Sequence, residues 1–263
     1  MRTQGTRIIL LGSGGFLGSL LFQELTRLGY SPERAKSDLA DLELNFSRSK
    51  FDLRRTILIS MTWTSNSKSD YLNNPENLMW TNKHIDFAIF CLKNDFFFLV
   101  PGSCLEYEGD ESIAYIDSKI RLRKFLEKNV PPNMYLWPRY FYIFSLAHRR
   151  PGLIRDALEA QHNSQPLFVD NPKGSHDYIE VRDAIGQTIE LIEGSNSGIW
   201  DVGTGRTRSN TELLARVGNV KFIEKQVTEI SRKVRVGWEQ SAMRLIPNYT
   251  QFTSHTNRFF GTL

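Results

Sequence analysis

The pattern of apolar and polar positions changes period within the first thirty residues of the chain. A continuous apolar run at residues 8–11 predicts a buried parallel strand, and a glycine-rich stretch follows it. Apolar residues then recur on a helical period, at Leu17, Leu21, Leu25 and Leu28. The pattern therefore predicts a strand, a glycine turn and an amphipathic helix, in that order.

Two further apolar runs, at residues 56–60 and 96–100, predict buried strands, with a helix over residues 75–93 between them. A second helix is predicted over residues 114–128. Between the first helix and residue 56 the chain is unusually polar. Residues 42–46 alternate and predict a short strand, which leaves almost no room for a helix before the next strand. Alternating strands and helices predict an α/β fold with a mainly parallel sheet.

The glycine spacing after the first strand is typical of the first half of a dinucleotide-binding site. Gly12 allows a tight turn off the strand, Gly15 lets a pyrophosphate approach the backbone, and Gly18 allows the helix to pack closely on the sheet. Gly14 is an additional glycine. The phosphates would bind the free N–H groups and positive dipole at the helix N-terminus. A glycine-rich packing point without a ligand is the alternative.

The end of the second strand indicates which dinucleotide is preferred. Counting from Gly12, it falls near Ala35, Lys36 and Ser37. An NAD site usually has a carboxylate there, whereas an NADP site needs a positive group for the 2′-phosphate. Lys36 therefore favours NADP, and NAD is the alternative because Asp38 is only two residues away.

Composition and charge narrow the function classes. The 263 residues are 40% hydrophobic and 24% charged, as in an ordinary globular protein, and the net charge of +4 does not suggest nucleic acid. Cys91 and Cys104 form no CxxC or His/Cys cluster, so we expect neither a disulfide scaffold nor a metal site. The N-terminal apolar run is too short for a membrane span and lacks a convincing cleavage site, so we expect a cytoplasmic protein without a membrane partner.

Tyr115 and Lys119 lie four residues apart in a predicted helix and therefore share one face. A lysine ammonium near a phenol favours the phenolate, which makes the tyrosine a usable proton donor or acceptor near neutral pH. The pair follows the glycine motif, a strand and Ser103 at a strand end, in the order that builds one pocket.

In this order the residues resemble the extended short-chain dehydrogenase/reductase family, specifically its nucleotide-sugar epimerase, dehydratase and ketoreductase group. Residues 12–18 match the family opening G-x-x-G-(F/Y)-(I/L)-G, and Ser103 stands four residues before Tyr107, as the catalytic Ser or Thr of the family does before its Tyr-Gly turn. Further similar segments are Asn73-Asn74-Pro75 with Asn82, residues 138–144, residues 176–185 and residues 200–214.

The resemblance implies a Rossmann-like, doubly wound sheet with a small C-terminal substrate lobe: residues 1–148 bind NAD(P), and residues 149–263 mainly bind substrate, with segments 176–205 returning to the sheet. It implies a catalytic triad of Ser103, Tyr115 and Lys119. The implied cofactor-binding residues are Gly12, Ser13, Gly14, Gly15, Phe16, Leu17, Gly18, Lys36, Ser37, Met61, Thr62, Tyr115, Lys119 and Tyr142. The implied substrate-binding residues are Trp63, Ser103 and Arg206.

The chain departs from the family at several places, three of which bear on the reaction. Ser103 and Tyr115 are twelve residues apart, about half the usual family spacing, so the substrate loop between them is shortened. His176 stands where the family often has an arginine that holds the diphosphate. Cys104 and Leu105 replace the Asp-Glu pair that family dehydratases use as a second acid and base.

The function implied is NADPH-dependent reduction of a nucleotide-linked 4-keto sugar, with Tyr115 as proton donor. Epimerisation through a transient keto sugar and a non-catalytic NAD(P)-binding sensor or scaffold are alternatives. The resemblance also implies a homodimer formed through the helix that carries Tyr115 and the helix before it. Phe87, Ile89, Ile120, Leu122 and Phe125 would supply that face, or would all be used against the sheet.

Overall fold

The computed structural model describes residues 6–35, 56–63, 71–145, 147, 152–169, 171–218, 222–224 and 254–261. The chain divides into two compact units. The first comprises Met1–Arg139 and Ile185–Trp200, and the second comprises Tyr140–Ala184 and Asp201–Leu263.

The described strands are β1 (Arg7–Leu11), β2 (Glu33–Ala35), β3 (Thr56–Ser60), β4 (Phe97–Leu99), β5 (Gly102–Ser103), β6 (Tyr135–Tyr140), β7 (Tyr142–Phe144), β8 (Leu167–Val169), β9 (Ser175–His176), β10 (Tyr178–Glu180), β11 (Gly198–Val202), β12 (Arg208–Ser209) and β13 (Phe222–Glu224). The helices are α1 (Phe16–Arg27), α2 (Glu76–Lys93), α3 (Ala114–Asn129), α4 (Leu153–His162), α5 (Val181–Glu193), α6 (Asn210–Val217) and α7 (Ser254–Phe260). Short 3₁₀ helices occupy Cys104–Tyr107 and Pro132–Met134.

The first unit is built on a seven-stranded sheet with the order β11-β6-β4-β3-β1-β2, and β5 pairs with β6. β1 pairs in parallel with β2 on one side and with β3 on the other, and the pairings of β3 with β4 and of β4 with β6 are also parallel. This architecture confirms the predicted Rossmann-like, mainly parallel sheet. Because the chain changes direction in the sheet at β1, the carboxyl ends of β1 and β3 flank the switch point where such sheets bind ligands.

The sequence of β3 explains its central place in the sheet. All five of its residues are buried, as expected of a parallel strand covered on both faces. α2 packs against α3, and both helices contribute to the core of the first unit. The buried members of this core cluster are Ile9, Leu11, Leu58, Phe87, Ala88, Cys91, Phe96, Phe98, Val100, Leu122, Leu126, Val130, Tyr135 and Trp137.

The predicted segments agree with the described elements to within a residue or two. The exception is residues 138–144, where the apolar run is divided between β6, which ends at Tyr140, and β7, which begins at Tyr142 and pairs in parallel with β10. The strand predicted at residues 42–46 lies outside the described residues.

Within its described residues, the second unit contains small paired strands and the helices α4, α6 and α7, with aromatic side chains in its core. β7 pairs with β10 and β8 with β13 in parallel, whereas β9 and β12 are antiparallel. Asp183 of α5 accepts hydrogen bonds from the backbone N–H of Thr256, at 2.7 Å, and from its hydroxyl, at 2.6 Å. This carboxylate therefore ties α7 to the start of α5.

None of the helices that the structure describes combines the length and the apolar character needed to cross a membrane.

A substitution at Gly12 tests the turn at the end of β1. Its φ is +74°, and a Cβ there would lie 2.5 Å from the Met61 carbonyl oxygen. Gly12→Ala should lower the free energy of unfolding by about 2–4 kcal/mol, because it adds a backbone clash to the strain of a positive φ. Gly29→Ala is the control, since φ is +88° there and nothing lies within 4 Å of the Cβ position. If urea unfolding shows that Gly12→Ala and Gly29→Ala lose equal free energy of unfolding, the predicted clash at Gly12 is contradicted.

Candidate active site

The loop between β1 and α1 presents backbone rather than side chains. A Cβ on Gly18 would overlap the Gly12 carbonyl oxygen, so the helix approaches the strand end as closely as glycine allows. Gly15 caps α1 without a side-chain hydrogen bond, and the first turn of the helix holds no acidic residue. Gly14 is exposed, with no atom within 4 Å of its Cβ position. An unneutralised helix N-terminus beside open space fits the diphosphate of a dinucleotide.

The end of β3 meets this loop. The Met61 N–H donates to the Leu11 carbonyl at 3.0 Å, so Met61 lies beside Gly12 as predicted for the cofactor site. Thr62 is buried, and its hydroxyl oxygen lies 2.9 Å from that of Ser60. The Thr62 side chain is therefore directed into the interior of the unit, and only its backbone is placed for a ligand.

His84 of α2 completes this interior network. Its Nδ1 lies 2.8 Å from the Trp80 carbonyl and must donate to it, which leaves Nε2 to accept from the Ser60 hydroxyl at 3.1 Å. Burial and the nearby Lys119 charge lower the pKa of His84 to about 3. The imidazole is therefore neutral at physiological pH.

Trp63 lies at the centre of the candidate site. Its indole Nε1 donates to Asn77 Oδ1 at 3.0 Å, and its ring stacks on His84 with centroids 5.3 Å apart. The ring also meets Tyr115 edge-on at 6.0 Å, and the Lys119 Nζ lies 3.5 Å from its centroid. Three of the predicted site residues, Trp63, Tyr115 and Lys119, are therefore in mutual contact.

Tyr115 begins the first turn of α3, and its backbone N–H donates to the Leu72 carbonyl at 2.8 Å. Its half-buried ring also packs edge-on against Tyr71. Lys119, one turn further on, is only 2% exposed, and its ammonium donates to the Pro101 carbonyl at 2.8 Å. The ammonium lies 5.6 Å from the Tyr115 ring centroid, close enough for its charge to act on the phenol.

Ser103 ends β5 and caps the 3₁₀ helix that follows. Its hydroxyl oxygen accepts from the Leu105 N–H at 3.2 Å, and its own N–H donates to Glu106 Oε1 at 2.8 Å. This capping uses one acceptor site of the hydroxyl, so the O–H group keeps its donor for another partner. α3 packs directly on the 3₁₀ helix and on β5.

The sequence prediction missed Glu106, although it forms a capping box with Ser103, a pattern that is readable in sequence. Its side chain is 1% exposed, and its carboxylate accepts from Trp137 Nε1 at 3.1 Å. Arg123 Nε lies 3.1 Å from the other carboxylate oxygen. Burial raises the pKa of Glu106 to about 7 and lowers the pKa of Lys119 to about 7, and the opposite charges of the two groups oppose both shifts.

Asn82, which belongs to a segment similar to the family, is exposed, and the side chain that joins helices α2 and α3 is that of Thr81. The Thr81 hydroxyl lies 3.2 Å from the Ser118 carbonyl in α3 and 3.1 Å from the Asn77 carbonyl in its own helix. The amide of Asn77 in turn donates to the Tyr71 carbonyl at 2.8 Å.

Two predicted residues lie in the second unit. Tyr142 stacks on His176 with ring centroids 4.0 Å apart. Arg206 is exposed in the turn that Asp177 stabilises by accepting from the Thr204 N–H at 2.9 Å. Arg208 pairs with His176 across β9 and β12, and its guanidinium lies 4.1 Å from the Phe260 ring centroid. Arg208 and His176 are thus direct cross-strand neighbours.

The predicted cofactor residues Lys36 and Ser37 lie outside the described residues. The strand before them ends as expected, because Ala35 pairs with Leu11, the last residue of β1. The carboxylate on β2, Glu33, is paired with Arg7. Within the described ranges, no group of three or more His, Cys, Asp or Glu side chains is arranged to hold a metal ion.

Several solved structures share this fold. The UDP-N-acetylglucosamine 4-epimerase from Bacillus cereus is 15% identical, with a TM-score of 0.66 over 98% of both chains. A dTDP-4-dehydrorhamnose reductase from Clostridium acetobutylicum is 13% identical, with a TM-score of 0.65 over 84% of both chains. WbmG from Bordetella bronchiseptica, solved in complex with NAD, is 17% identical, with a TM-score of 0.64 over 99% of this chain and 96% of its own.

No protein-family model and no curated protein sequence matches the chain. At these identities the structural similarity shows a shared fold.

A substitution at Thr81 tests the link between α2 and the helix that carries Tyr115. Thr81→Val keeps the side-chain shape but removes the hydroxyl that reaches Ser118, which should lower the free energy of unfolding by about 1 kcal/mol. Thr26→Val is the control, because the Thr26 hydroxyl donates to the Phe22 carbonyl of its own helix, at 2.8 Å, and its loss should cost about a few tenths of a kcal/mol. Urea unfolding measures both, and equal effects would contradict the bridging role.

Proposed function

We propose that the chain is an NAD(P)-dependent oxidoreductase that reduces a nucleotide-linked 4-keto sugar, with NADPH as the preferred reductant. The observation that carries the proposal is the contact of Trp63 with both Tyr115 and Lys119. Trp63 follows the strand end whose Met61 N–H is bonded to the end of β1. A continuous set of contacts therefore joins the phenol–ammonium pair to the glycine loop.

The glycine loop supplies the cofactor site in this proposal. Backbone N–H groups of residues 13–18 and the N-terminal dipole of α1 would bind the diphosphate. When bound, a nicotinamide dinucleotide supplies the hydride that reduces a carbonyl carbon. The protein contributes the position of the substrate and the movement of the proton.

Tyr115 would donate its phenolic proton to the carbonyl oxygen as that oxygen gains negative charge. The donor of the Ser103 hydroxyl would bind the same oxygen. The Lys119 ammonium would stabilise the phenolate that Tyr115 leaves behind, since a positive charge favours the ionised phenol. Its burial implies that Lys119 acts mainly through its charge, because the Trp63 ring covers the ammonium.

The geometry disfavours dehydration as the reaction. Cys104 is buried, and neither it nor Leu105 can take the part of the second acid and base. Glu106, the carboxylate nearest in sequence, is directed toward Trp137 and Arg123 inside the unit. Glu106 is therefore not placed to remove a proton from substrate.

Epimerisation is a second candidate, because it uses the same tyrosine and lysine. The observation that favours it is the match to the UDP-N-acetylglucosamine 4-epimerase over 98% of both chains. The two reactions differ in consumption of cofactor: a ketoreductase oxidises NADPH stoichiometrically, whereas an epimerase returns the hydride and leaves the cofactor pool unchanged.

The homodimer is a separate prediction, and two residues expected on its face are placed elsewhere. Phe87 and Leu122 lie in the core of the first unit, and Phe125 packs against that core. Phe87 and Leu122 therefore pack within the unit.

Tyr115→Phe tests the assignment of the proton donor. With NADPH and a panel of dTDP-, CDP-, GDP- and UDP-linked 4-keto sugars, turnover should fall by at least about 100-fold, because proton transfer to the oxygen is lost. The affinity for NADPH, measured by fluorescence titration, should stay within about threefold. Tyr107→Phe, an exposed tyrosine near the same turn, is the control and should retain turnover.

Retained turnover in Tyr115→Phe would refute the catalytic role of Tyr115. NADPH binding by the unaltered protein without turnover on any of these sugars would instead support a non-catalytic NAD(P)-binding protein.

Lys36→Glu tests the cofactor preference. A carboxylate at the end of the second strand repels a 2′-phosphate and accepts from ribose hydroxyls, so the affinity for NADPH should fall by about tenfold or more relative to NADH. Lys128→Glu, the same charge change in the last turn of α3, should leave the ratio unchanged. Parallel fluorescence titrations with NADPH and NADH give the ratio, and an unchanged preference in Lys36→Glu would exclude this lysine as its source.

A further inference from the structure

A buried carboxylate lies behind the candidate site and has no part in the proposed reaction. Glu106 accepts hydrogen bonds from the Ser103 N–H and from the Trp137 indole, and it lies beside Arg123. A Cβ on Gly102 would overlap Trp137 Nε1 and lie 2.8 Å from Glu106 Oε1. The glycine before Ser103 therefore makes room for this carboxylate.

The Lys119 ammonium is the group that most needs such a partner. It is 2% exposed, and its contacts include one carbonyl, that of Pro101, and the face of Trp63. Neither of these carries a formal negative charge. A buried ammonium without a counter-charge loses its proton, because desolvation disfavours the charged form. Trp137 is a neighbour of both groups, because its Nε1 lies 3.1 Å from Glu106 Oε1 and its ring centroid lies 5.9 Å from the Lys119 Nζ. Among the described residues, the Glu106 carboxylate thus lies on the same indole as the ammonium, and its charge raises the pKa of Lys119.

We propose that Glu106 is a positioning residue of the active site, which holds the Ser103 backbone by a hydrogen bond and keeps the Lys119 ammonium charged through its own buried carboxylate. The inference rests on the proposed function for its catalytic meaning. The effect of the Glu106 charge on the protonation of Lys119 is measurable without any substrate.

The charged groups around Glu106 come from two elements. Lys119 and Arg123 face it from α3, and Arg139 acts on it from the end of β6. Arg123 is also paired with Glu127, at 2.7 Å, so it keeps a carboxylate partner if Glu106 is replaced. On the other side of Lys119, His84 is neutral because its pKa is lowered to about 3. Removal of the Glu106 charge therefore acts chiefly on Lys119.

Glu106→Gln isolates this charge. A glutamine can still accept from the Ser103 N–H and the Trp137 indole through its amide oxygen, so the hydrogen bonds are kept while the negative charge is lost. The pKa of Lys119 is already lowered to about 7, and the Glu106 charge raises it. Without that charge the pKa of Lys119 must fall further, and the ammonium is lost at a lower pH.

Trp63 provides the readout, because the Lys119 ammonium lies 3.5 Å from its ring centroid. Tryptophan emission of the full chain, titrated from pH 5 to 9, should show a step. The part of the step that Lys119→Met removes belongs to the ammonium, because that variant keeps the bond between Glu106 and the Trp137 indole. In Glu106→Gln the step should move to lower pH by about one unit. Glu111→Gln, which removes a carboxylate paired with Lys124 on the surface, is the matched control and should leave the step in place.

An unmoved step in Glu106→Gln would overturn the proposal. If Glu106→Gln does not fold, the double variant Glu106→Gln/Lys119→Met supplies the answer, since it removes both members of the pair. A double variant that folds where Glu106→Gln does not supports the coupling, because removal of the ammonium then relieves the loss of its counter-charge. Failure of the double variant to fold would show that Glu106 acts on the backbone alone and would overturn it.

Turnover separates this inference from the proposed function. On a 4-keto sugar that proves to be a substrate, the alkaline decline of the rate should shift to lower pH in Glu106→Gln, whereas the affinity for NADPH should change little. A shifted emission step without turnover in the unaltered protein would support the Glu106–Lys119 coupling and refute the reductase. Turnover with an unshifted emission step and an unshifted pH profile would support the reductase and refute the Glu106–Lys119 coupling.

Discussion

The buried ammonium of Lys119 is the constraint on which the candidate site depends. A charge removed from water is stable only where fixed dipoles and opposite charges replace the solvent. Here the replacements come from three separate segments: the Pro101 carbonyl after β4, the Trp63 ring after β3 and the Glu106 carboxylate after β5. Each segment is held where a strand of the same sheet ends. The order of the strands therefore determines whether the ammonium is stable, and the ammonium in turn fixes the Trp63 ring beside Tyr115.

Sequence reasoning predicts the parts of this arrangement that depend on local pattern. The apolar run before Gly12, the helical period after Gly18 and the four-residue spacing of Tyr115 and Lys119 are properties of short segments, and the structure contains each of them. The burial of Glu106 cannot be predicted from a local pattern. Its capping box with Ser103 is visible in sequence, but whether a capping carboxylate faces solvent or a tryptophan depends on the packing of β6 against the turn.

The choice between Thr81 and Asn82 shows the same limit at the scale of one residue. A helix turns by 100° per residue, so neighbouring positions face different surroundings. Spacing from Pro75 identifies Asn82, whereas the packing of α2 on α3 turns Thr81 toward Ser118. In the second unit, pairing across an antiparallel ladder brings Arg208 beside His176. Only the ladder register, which sequence does not reveal, makes these two residues neighbours.

The twelve-residue separation of Ser103 and Tyr115 would disrupt the site only if it displaced the start of α3. A backbone hydrogen bond from outside this interval holds the start of α3 in place. The 3₁₀ helix at Cys104–Tyr107 and a short turn occupy the whole interval before α3 begins at Ala114. The Tyr115 N–H, one of the groups at a helix start that lacks an intrahelical partner, donates to the Leu72 carbonyl. The segment before α2 thus anchors the first turn of α3 independently of the shortened loop. The phenol and the ammonium therefore keep their relation to Trp63 despite the short separation from Ser103.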